Sequence, residues 1–145
     1  MREKKLVRKA LIYCIEGDRL LVFSQPNAAP HEVGLQIPAG TVRAGETPRA
    51  AAERELLEET GRTDLRVERF IGQAFYDITP HRDEIQERFF FLARGTAPLP
   101  ESWRGQEDHD GAAAPTPFDF FWIPLKSAHT LQSGQGALLW AALDD

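Results

Sequence analysis

Short runs of apolar residues, separated by turn-forming residues, recur along the chain and predict β-strands. The first two runs flank Glu16-Gly17-Asp18, which is typical of a hairpin turn. A Gly72 inside a later run predicts a bend or bulge in that strand. The predicted strands span residues 6–15, 19–23, 35–38, 67–78, 85–93 and 118–123.

Residues 48–60 have the composition and the ends of an α-helix. Thr47 is a suitable N-cap, and Pro48 fits the first helical position. The segment is rich in Ala, Leu, Glu and Arg, and Gly61 can adopt the left-handed conformation that closes a helix. Strands lie on both sides of this helix, and residues 136–143 predict a short C-terminal helix. We therefore expect an α/β fold in which helices enclose a mixed sheet.

The last two turns of this helix are crowded with glutamates: Glu53, Glu55, Glu58 and Glu59. Like charges three or four residues apart each destabilise a helix by roughly 0.2–0.5 kcal/mol, and the helix C-terminus already carries negative partial charge. Three of the four share one face, whereas Leu56 and Leu57 are expected to point away from it, toward a core. A divalent cation would relieve the repulsion, so the segment predicts a metal site. The alternative is a solvated acidic helix.

The spacing of Gly40, Glu46, Arg54-Glu55-Leu56, Glu58-Glu59 and Gly61 resembles the Nudix box, with eight matching positions. Only Arg62 departs from the pattern, where an aliphatic residue is usual, and we expect a local packing change there. The resemblance to the Nudix hydrolase family implies an α/β/α sandwich with a mixed β-sheet. It also implies an enzyme that uses Mg²⁺ or Mn²⁺ to hydrolyse a nucleoside diphosphate linked to another moiety.

The resemblance also implies roles for individual residues of the box. Glu55, Glu58 and Glu59 would bind metal, together with the backbone carbonyl of Ala39. Glu58 or Glu55 would assist the deprotonation of water, and Arg54 would orient the glutamates.

Three further residues of the box would have structural roles. Gly40 would permit a close approach of the loop, Glu46 would anchor the loop to the helix without touching metal, and Gly61 would end the helix. These roles are expectations that follow from the family pattern.

Residues 95–117 form the longest predicted connection and contain the acidic run Glu107-Asp108-His109-Asp110. Connections of this length are usually functional or disordered. Similar proteins often take an additional carboxylate, as base or ligand, from this region. Glu107 is the first candidate, with Asp108 and Asp110 after it, and the alternative is a solvated loop without a catalytic part.

Four side chains outside the box are candidate substrate contacts. Tyr76 and Trp103 could stack on a base, and Arg82 and Arg88 could contact phosphate. The alternatives are packing under a loop for the aromatic residues and ion pairing with nearby acids for the arginines. No motif outside the box identifies the nucleotide derivative.

At 145 residues the chain predicts one domain, over residues 1–145. Its net charge of −5 lacks the basic footprint of a polynucleotide-binding protein, and no apolar run is long enough for a membrane span. The single cysteine, Cys14, predicts a buried structural thiol in a reducing, cytoplasmic location. The expected partner is a small phosphorylated molecule, and a homodimer is compatible with the sequence.

Two other functions compete with the metal-dependent pyrophosphohydrolase. A nucleotide-binding Nudix domain with little catalysis, acting as a sensor, would be expected to lack some carboxylates of the box, and none is missing. A Nudix-fold isomerase acting on an isoprenoid diphosphate would need a catalytic cysteine. Cys14 lies far upstream in a predicted strand, which disfavours that function.

Overall fold

The computed structural model describes residues 3–28, 34–80 and 82–143. Within them, seven strands form a mixed sheet in the order β4-β5-β1-β2-β7-β6, and β3 pairs with β1. The strands are β1 (Lys5–Glu16), β2 (Arg19–Ser24), β3 (Ala39–Thr41), β4 (Leu65–Asp77), β5 (Glu84–Gly95), β6 (Ser102–Glu107) and β7 (Thr116–Pro124). The helices are α1 (Pro48–Thr60) and α2 (Leu139–Ala142). The predicted α/β class with a mixed sheet is confirmed.

Strand β1 is the centre of the sheet because it pairs with three other strands. It runs parallel to β5 from the Lys5–Glu84 pair to the Cys14–Ala93 pair. Its other edge pairs antiparallel first with β3, through residues 9–11, and then with β2, through Ile15 and Glu16. The short strand β3 therefore lies beside the first half of β1, where it also contacts α1.

The alternation of side chains along β1 separates two hydrophobic cores. Ala10, Ile12 and Cys14 belong to the core under α1, and Leu11 and Tyr13 belong to the core on the other face of the sheet. That second face is covered by α2 and by 3-10 turns over residues 125–134. Burial raises the pKa of the Cys14 thiol to about 12, which fits the expected structural role.

Most of the predicted strands agree with the structure. The runs 6–15, 19–23, 67–78, 85–93 and 118–123 correspond to β1, β2, β4, β5 and β7. Gly17 has a φ of 62° in the β1–β2 turn, a left-handed conformation that suits glycine. The pairing of β4 with β5 shifts its register between Phe70 and Gly72, as the sequence predicted.

Three sequence predictions of secondary structure are wrong. Residues 35–38 form only isolated bridges, at Leu35 and Gln36. The predicted connection 95–117 contains β6, an edge strand of mostly polar residues in which Trp103 is the only large apolar side chain. The predicted C-terminal helix 136–143 is reduced to the four residues of α2, preceded by turns. A Cβ at Gly136 would lie 2.6 Å from the Ala128 carbonyl oxygen, so packing fixes this segment as a close turn.

Helix α1 has the predicted bounds. The Thr47 hydroxyl accepts from the Ala50 N–H at 3.1 Å, and Gly61 adopts a φ of 69° and donates to the Leu57 carbonyl. None of the helices in the described part of the chain is long and apolar enough to cross a membrane.

The prediction that Leu56 and Leu57 both face a core is wrong for Leu57, which is 49% exposed, whereas Leu56 is 2% exposed. The buried residues of α1 are Ala51, Ala52, Glu55, Leu56, Glu59 and Thr60. Two glutamates thus share the buried face of the helix with its apolar residues. The side of α1 that packs on the sheet is also its acidic side.

Strand β6 reaches the end of α1 because Gly105 has no side chain. A Cβ at this position would lie 1.9 Å from the Glu59 carbonyl oxygen and 2.7 Å from Cε2 of Phe120. Nearby, the Trp103 indole N–H donates to the Thr60 carbonyl at 3.0 Å. This contact fixes the position of β6, and therefore of Glu107 at its end, relative to the helix.

We expect Gly105→Ala to destabilise the fold by about 2 kcal/mol or more, because overpacking against a backbone carbonyl cannot be relieved by a side-chain rotation. Gly72→Ala is the matched control, since a Cβ at this other strand glycine meets only Cδ1 of Leu138, at 3.2 Å. Urea unfolding of both variants measures the difference. Equal midpoints for the two variants would show that β6 does not depend on this close approach.

Candidate active site

Three carboxylates from two elements meet beside the short strand β3. Glu55 and Glu59 come from α1 and Glu107 comes from the end of β6, and each offers an oxygen within 4.8 Å of the others. Glu55 is 7% exposed and Glu59 is 2% exposed. We call these three residues the acidic cluster. Glu107 was expected in an irregular loop, whereas the structure places it at the end of a paired strand.

Strand β3 passes directly against the glutamates of the helix. The Ala39 N–H donates to Oε1 of Glu59 at 3.2 Å. A Cβ at Gly40 would lie between 2.0 and 2.3 Å from the side-chain atoms of Glu55. Only glycine permits this close approach of β3 to Glu55.

Arg54 connects the helix with the preceding loop. Its Nε and Nη2 each donate to Glu46 at 2.9 Å, and its Nη1 donates to Oε1 of Glu55. A fork of this kind fixes both partners. Glu46 also accepts from the Arg43 N–H at 3.0 Å, and the Arg54 and Arg43 bonds lower the pKa of Glu46 to about 2. Glu46 therefore holds the loop to the helix, and Arg54 holds Glu55 in one orientation.

The electrostatics of the acidic cluster are unfavourable without a cation. Burial raises the pKa of Glu55, although Arg54 opposes the shift. The pKa of Glu59 is raised well above its ordinary value by burial and then by the neighbouring Glu55. Oε2 of Glu55 is buried without a hydrogen-bond partner in the described part of the chain. Hard divalent cations prefer such clustered carboxylate oxygens, so the residues fit a metal ion.

Glu58 lies in a different acidic group from the other two glutamates of the box. Its carboxylate comes within 4.8 Å of those of Asp108 and Asp110, and all three residues are exposed. Glu58 remains linked to the cluster through Arg54, whose Nη1 lies 3.6 Å from its Oε2. Asp110 pairs with Arg43 at 2.5 Å. The structure thus divides the predicted ligands between a buried set and an exposed set.

A cavity of about 1150 Å³ extends from the acidic cluster along the opposite face of the sheet. Glu55 and Glu107 line one end, and Tyr76, Arg82 and Arg88 line the other. Arg82 has a side chain that is 67% exposed and lies 3.7 Å from Glu84. The guanidinium carbon of Arg88 lies 4.2 Å from the centre of the Tyr76 ring. Three of the four predicted substrate contacts therefore border the cavity.

The expectation that Trp103 contacts substrate is not supported by its position. Its ring stacks on Phe120 with centroids 5.4 Å apart, and the guanidinium of Arg62 lies over it at 5.2 Å. Arg62 also makes a two-pronged ion pair with Asp64. Trp103 packs between β6 and the end of α1, away from the residues that line the cavity. This packing is the local change expected at Arg62.

Sequence reasoning missed several residues of the cavity. Lys9 borders it, as do Gln132, Ser133 and Gln135 from the turn segment before α2. A lysine directly before an apolar strand run is a signal that could have identified Lys9. The two glutamines carry no such signal, because tertiary packing alone brings their turn to the cavity.

A sequence model of the NUDIX domain matches residues 5–139. Among solved structures, a NUDIX hydrolase from Nitrosomonas europaea is 18% identical with a TM-score of 0.68, and the match covers 97% of this chain and 88% of that one. An Ap4A hydrolase from C. elegans is 24% identical with a TM-score of 0.66, covering 95% and 96%. An ADP-ribose pyrophosphatase from Streptococcus suis is 15% identical with a TM-score of 0.62, covering 95% and 90%. No curated protein matches the chain.

We expect Glu59→Gln to raise the melting temperature of the metal-free protein. The amide oxygen can still accept from Ala39, and the charge that burial disfavours is gone. Because the folded-state pKa of Glu59 is raised, the wild type loses stability as the pH rises from about 4.3 through that pKa, and the variant does not. The difference in melting temperature should therefore grow as the pH rises above about 4.3, by roughly 2–4 °C per kcal/mol, and measurements from about pH 5 to about pH 8 follow it.

Glu53→Gln is the matched control, because Glu53 is exposed on the same helix. Calorimetry in EDTA across this pH range compares the two variants with the wild type. If Glu59→Gln melts no higher than the control at about pH 8, other groups in the protein offset the free-energy cost of burying the Glu59 charge.

Proposed function

Since the chain belongs to the NUDIX domain family and is a pyrophosphohydrolase of that family, we propose that it hydrolyses a nucleoside diphosphate linked to another moiety, using Mg²⁺ or Mn²⁺. One observation carries this proposal. The acidic cluster presents a buried, unpartnered carboxylate oxygen of Glu55 beside two further carboxylates at one end of a large cavity.

Glu55, Glu59 and Glu107 would hold the ion, with the Ala39 carbonyl of β3 as a further oxygen beside them. A divalent cation, when bound, neutralises charge on the diphosphate and lowers the pKa of water. Arg54 contributes by holding Oε1 of Glu55, which leaves Oε2 as the oxygen without a protein partner. The amide of Ala39 holds one oxygen of Glu59 in the same way.

Glu58 is the residue to which we assign acceptance of the proton from the attacking water. A general base must reach its proton with a free oxygen. Oε1 of Glu55 is engaged with Arg54 and its Oε2 is assigned to the ion, and Oε1 of Glu59 is engaged with Ala39. Glu58 is exposed, and its Oε2 lies 3.6 Å from a nitrogen of Arg54. Glu58 thus combines freedom to accept a proton with a position beside the cluster.

The substrate would lie along the cavity. Its volume, about 1150 Å³, exceeds the roughly 300–1,000 Å³ of most small-molecule sites and accommodates a nucleotide with a second moiety. The similar solved structures include an Ap4A hydrolase and an ADP-ribose pyrophosphatase, which supports a small nucleotide derivative as the substrate class. Tyr76, Arg82 and Arg88 would contact the part of the substrate beyond the diphosphate.

A panel of nucleoside diphosphate derivatives, incubated with Mg²⁺ or Mn²⁺, tests the proposal through the phosphate-containing fragments released. We expect cleavage within the diphosphate of at least one compound and none in EDTA. Tight binding of a nucleotide without turnover of any compound would favour the sensor function and contradict the proposal.

Glu58→Gln should lower kcat by about 10²-fold or more, because a positioned general base contributes roughly 10²–10⁴-fold. Its melting temperature should stay close to that of the wild type, since Glu58 is exposed. Glu53→Gln on the same helix is the control and should keep full turnover. Full turnover in Glu58→Gln would remove this residue from the catalytic assignment.

Millimolar Mg²⁺ or Mn²⁺ should raise the melting temperature of the wild type, because a ligand of the native state stabilises it by mass action. The rise should be smaller in Glu107→Gln, because this substitution removes one carboxylate charge from the acidic cluster. Thermal unfolding with and without metal measures both effects. An equal shift in wild type and variant would exclude Glu107 as a ligand.

A further inference from the structure

Arg88 is a buried cation without an acidic partner. It is 3% exposed, and no carboxylate in the described ranges forms an ion pair with it. Its nitrogens donate to Oε1 of Gln86 at 2.9 Å and to the Ser133 carbonyl at 2.6 Å, and its guanidinium lies over Tyr76. Leaving a buried charge unpaired costs several kcal/mol. The fold therefore carries a charge at this position that its own residues do not neutralise.

A second cation lies beside Arg88 on the neighbouring strand. Lys9 of β1 is the register partner of Arg88 in the parallel β1–β5 pair, so both side chains are on the same face of the sheet. The Lys9 ammonium donates to the Thr41 hydroxyl at 2.8 Å and forms no ion pair with a described residue. Burial, and then the nearby Arg82, lower the pKa of Lys9, whereas Glu84, Glu55 and Glu59 have smaller opposite effects. Positive charges are thus concentrated at this end of the cavity.

Hydrogen-bond donors surround the same end. The side-chain oxygen of Gln132 accepts from the Gly34 N–H at 2.7 Å, and that of Gln135 accepts from the Ile37 N–H at 2.9 Å. Both side chains line the cavity, and their oxygens are already engaged. Their amide nitrogens are further donors among the residues that line the cavity. A ligand group at this end would therefore meet donors and positive charge.

Arg88 is separated from β3, which borders the acidic cluster, by two strand spacings, and Lys9 is separated from β3 by one. Arg88 is on β5, Lys9 on β1 and Thr41 on β3, and adjacent strands lie about 4.8 Å apart. The glutamates of α1 lie past β3, on its Gly40 side. One cavity therefore joins the acidic cluster to a basic end whose buried cation, Arg88, lies roughly 10 Å from β3.

We propose that Lys9 and Arg88 form a second anion subsite, which binds a phosphate group of the substrate other than the scissile diphosphate. The inference rests on the proposed function and specifies its substrate class. The group is a phosphomonoester on a sugar or a further phosphate in a polyphosphate chain. A neutral base or sugar would leave the buried Arg88 without a counter-charge, whereas a phosphate pairs with Arg88 and Lys9 together.

The first test measures binding of inorganic pyrophosphate to the metal-free protein by titration calorimetry in EDTA. Without metal the acidic cluster repels the anion, so binding reports on the basic end. We expect Arg88→Met to weaken binding by about tenfold or more, the factor that a charge-assisted hydrogen bond contributes. Arg8→Met is the matched control: Arg8 precedes Lys9, lies over Phe89 on the other face and pairs with Glu87.

Equal affinity in wild type and Arg88→Met would overturn the subsite. The variant should melt at or above the wild-type temperature, because it loses an unpaired buried charge. A variant that does not fold would show that Arg88 is needed to hold Ser133. The same pyrophosphate titration of Lys9→Met then tests the subsite. Unchanged pyrophosphate binding in Lys9→Met would also overturn the proposal.

The second test uses substrate pairs with Mg²⁺ to identify the source of the phosphate. NADPH differs from NADH by a phosphomonoester, and diadenosine tetraphosphate differs from diadenosine diphosphate by two chain phosphates. For one of the two pairs, the kcat/KM of the wild type should be about tenfold higher for the member with more phosphate. Arg88→Met should lose this preference because its KM for that member rises. Equal kcat/KM within both pairs would overturn the proposal. Pyrophosphate binding that depends on Arg88, without any hydrolysis, would refute the proposed function and leave the subsite standing.

Discussion

The site depends on one packing constraint, the contact between strand β3 and the acidic side of helix α1. Gly40 lies so close to Glu55 that a side chain at that position would overlap its carboxyl carbon. The contact buries Glu55 and Glu59 on the face of the helix that also packs Leu56 into the core. Hydrophobic packing and the acidic cluster therefore use the same side of α1. A change that moves the helix to relieve the acidic repulsion would also disturb the core.

The remainder of the fold can hold α1 in place against the repulsion between its carboxylates, because the central strand is buried on both faces. Two hydrophobic cores, one on each side of the sheet, fix β1 and β5 in register. The same two strands carry Lys9 and Arg88 at the edge of the cavity. Rigid strands thus hold unpaired charges that a flexible loop would release to solvent. The stability of the sheet offsets the free-energy cost of a preorganised site that holds charges without partners among the described residues.

Local chemistry made some features predictable from the sequence, and tertiary contacts determined the others. Thr47, Pro48 and Gly61 specify the ends of α1 through short-range capping, so the bounds of the helix were predicted correctly. The exposure of Leu57 was not predicted, because the sheet determines which face of α1 is buried. Strand β6 was missed because an edge strand with polar side chains is stabilised by backbone pairing with β7. Glu107 is grouped with Glu55 and Glu59 because of the close contact at Gly105. No periodic pattern in the sequence predicts this contact.

At both ends of the cavity we infer a ligand from the same observation, a buried charge without a partner among the described residues. At the acidic end, a bound cation would neutralise the free oxygen of Glu55, as the family pattern led us to expect. At the basic end, no family pattern singles out Lys9, and its register with Arg88 shows that the two positive charges lie together. The two ends are complementary, since a metal-bound diphosphate with a further phosphate carries both of the missing charges. The specificity of this enzyme is therefore best sought in the separation between its two charged ends.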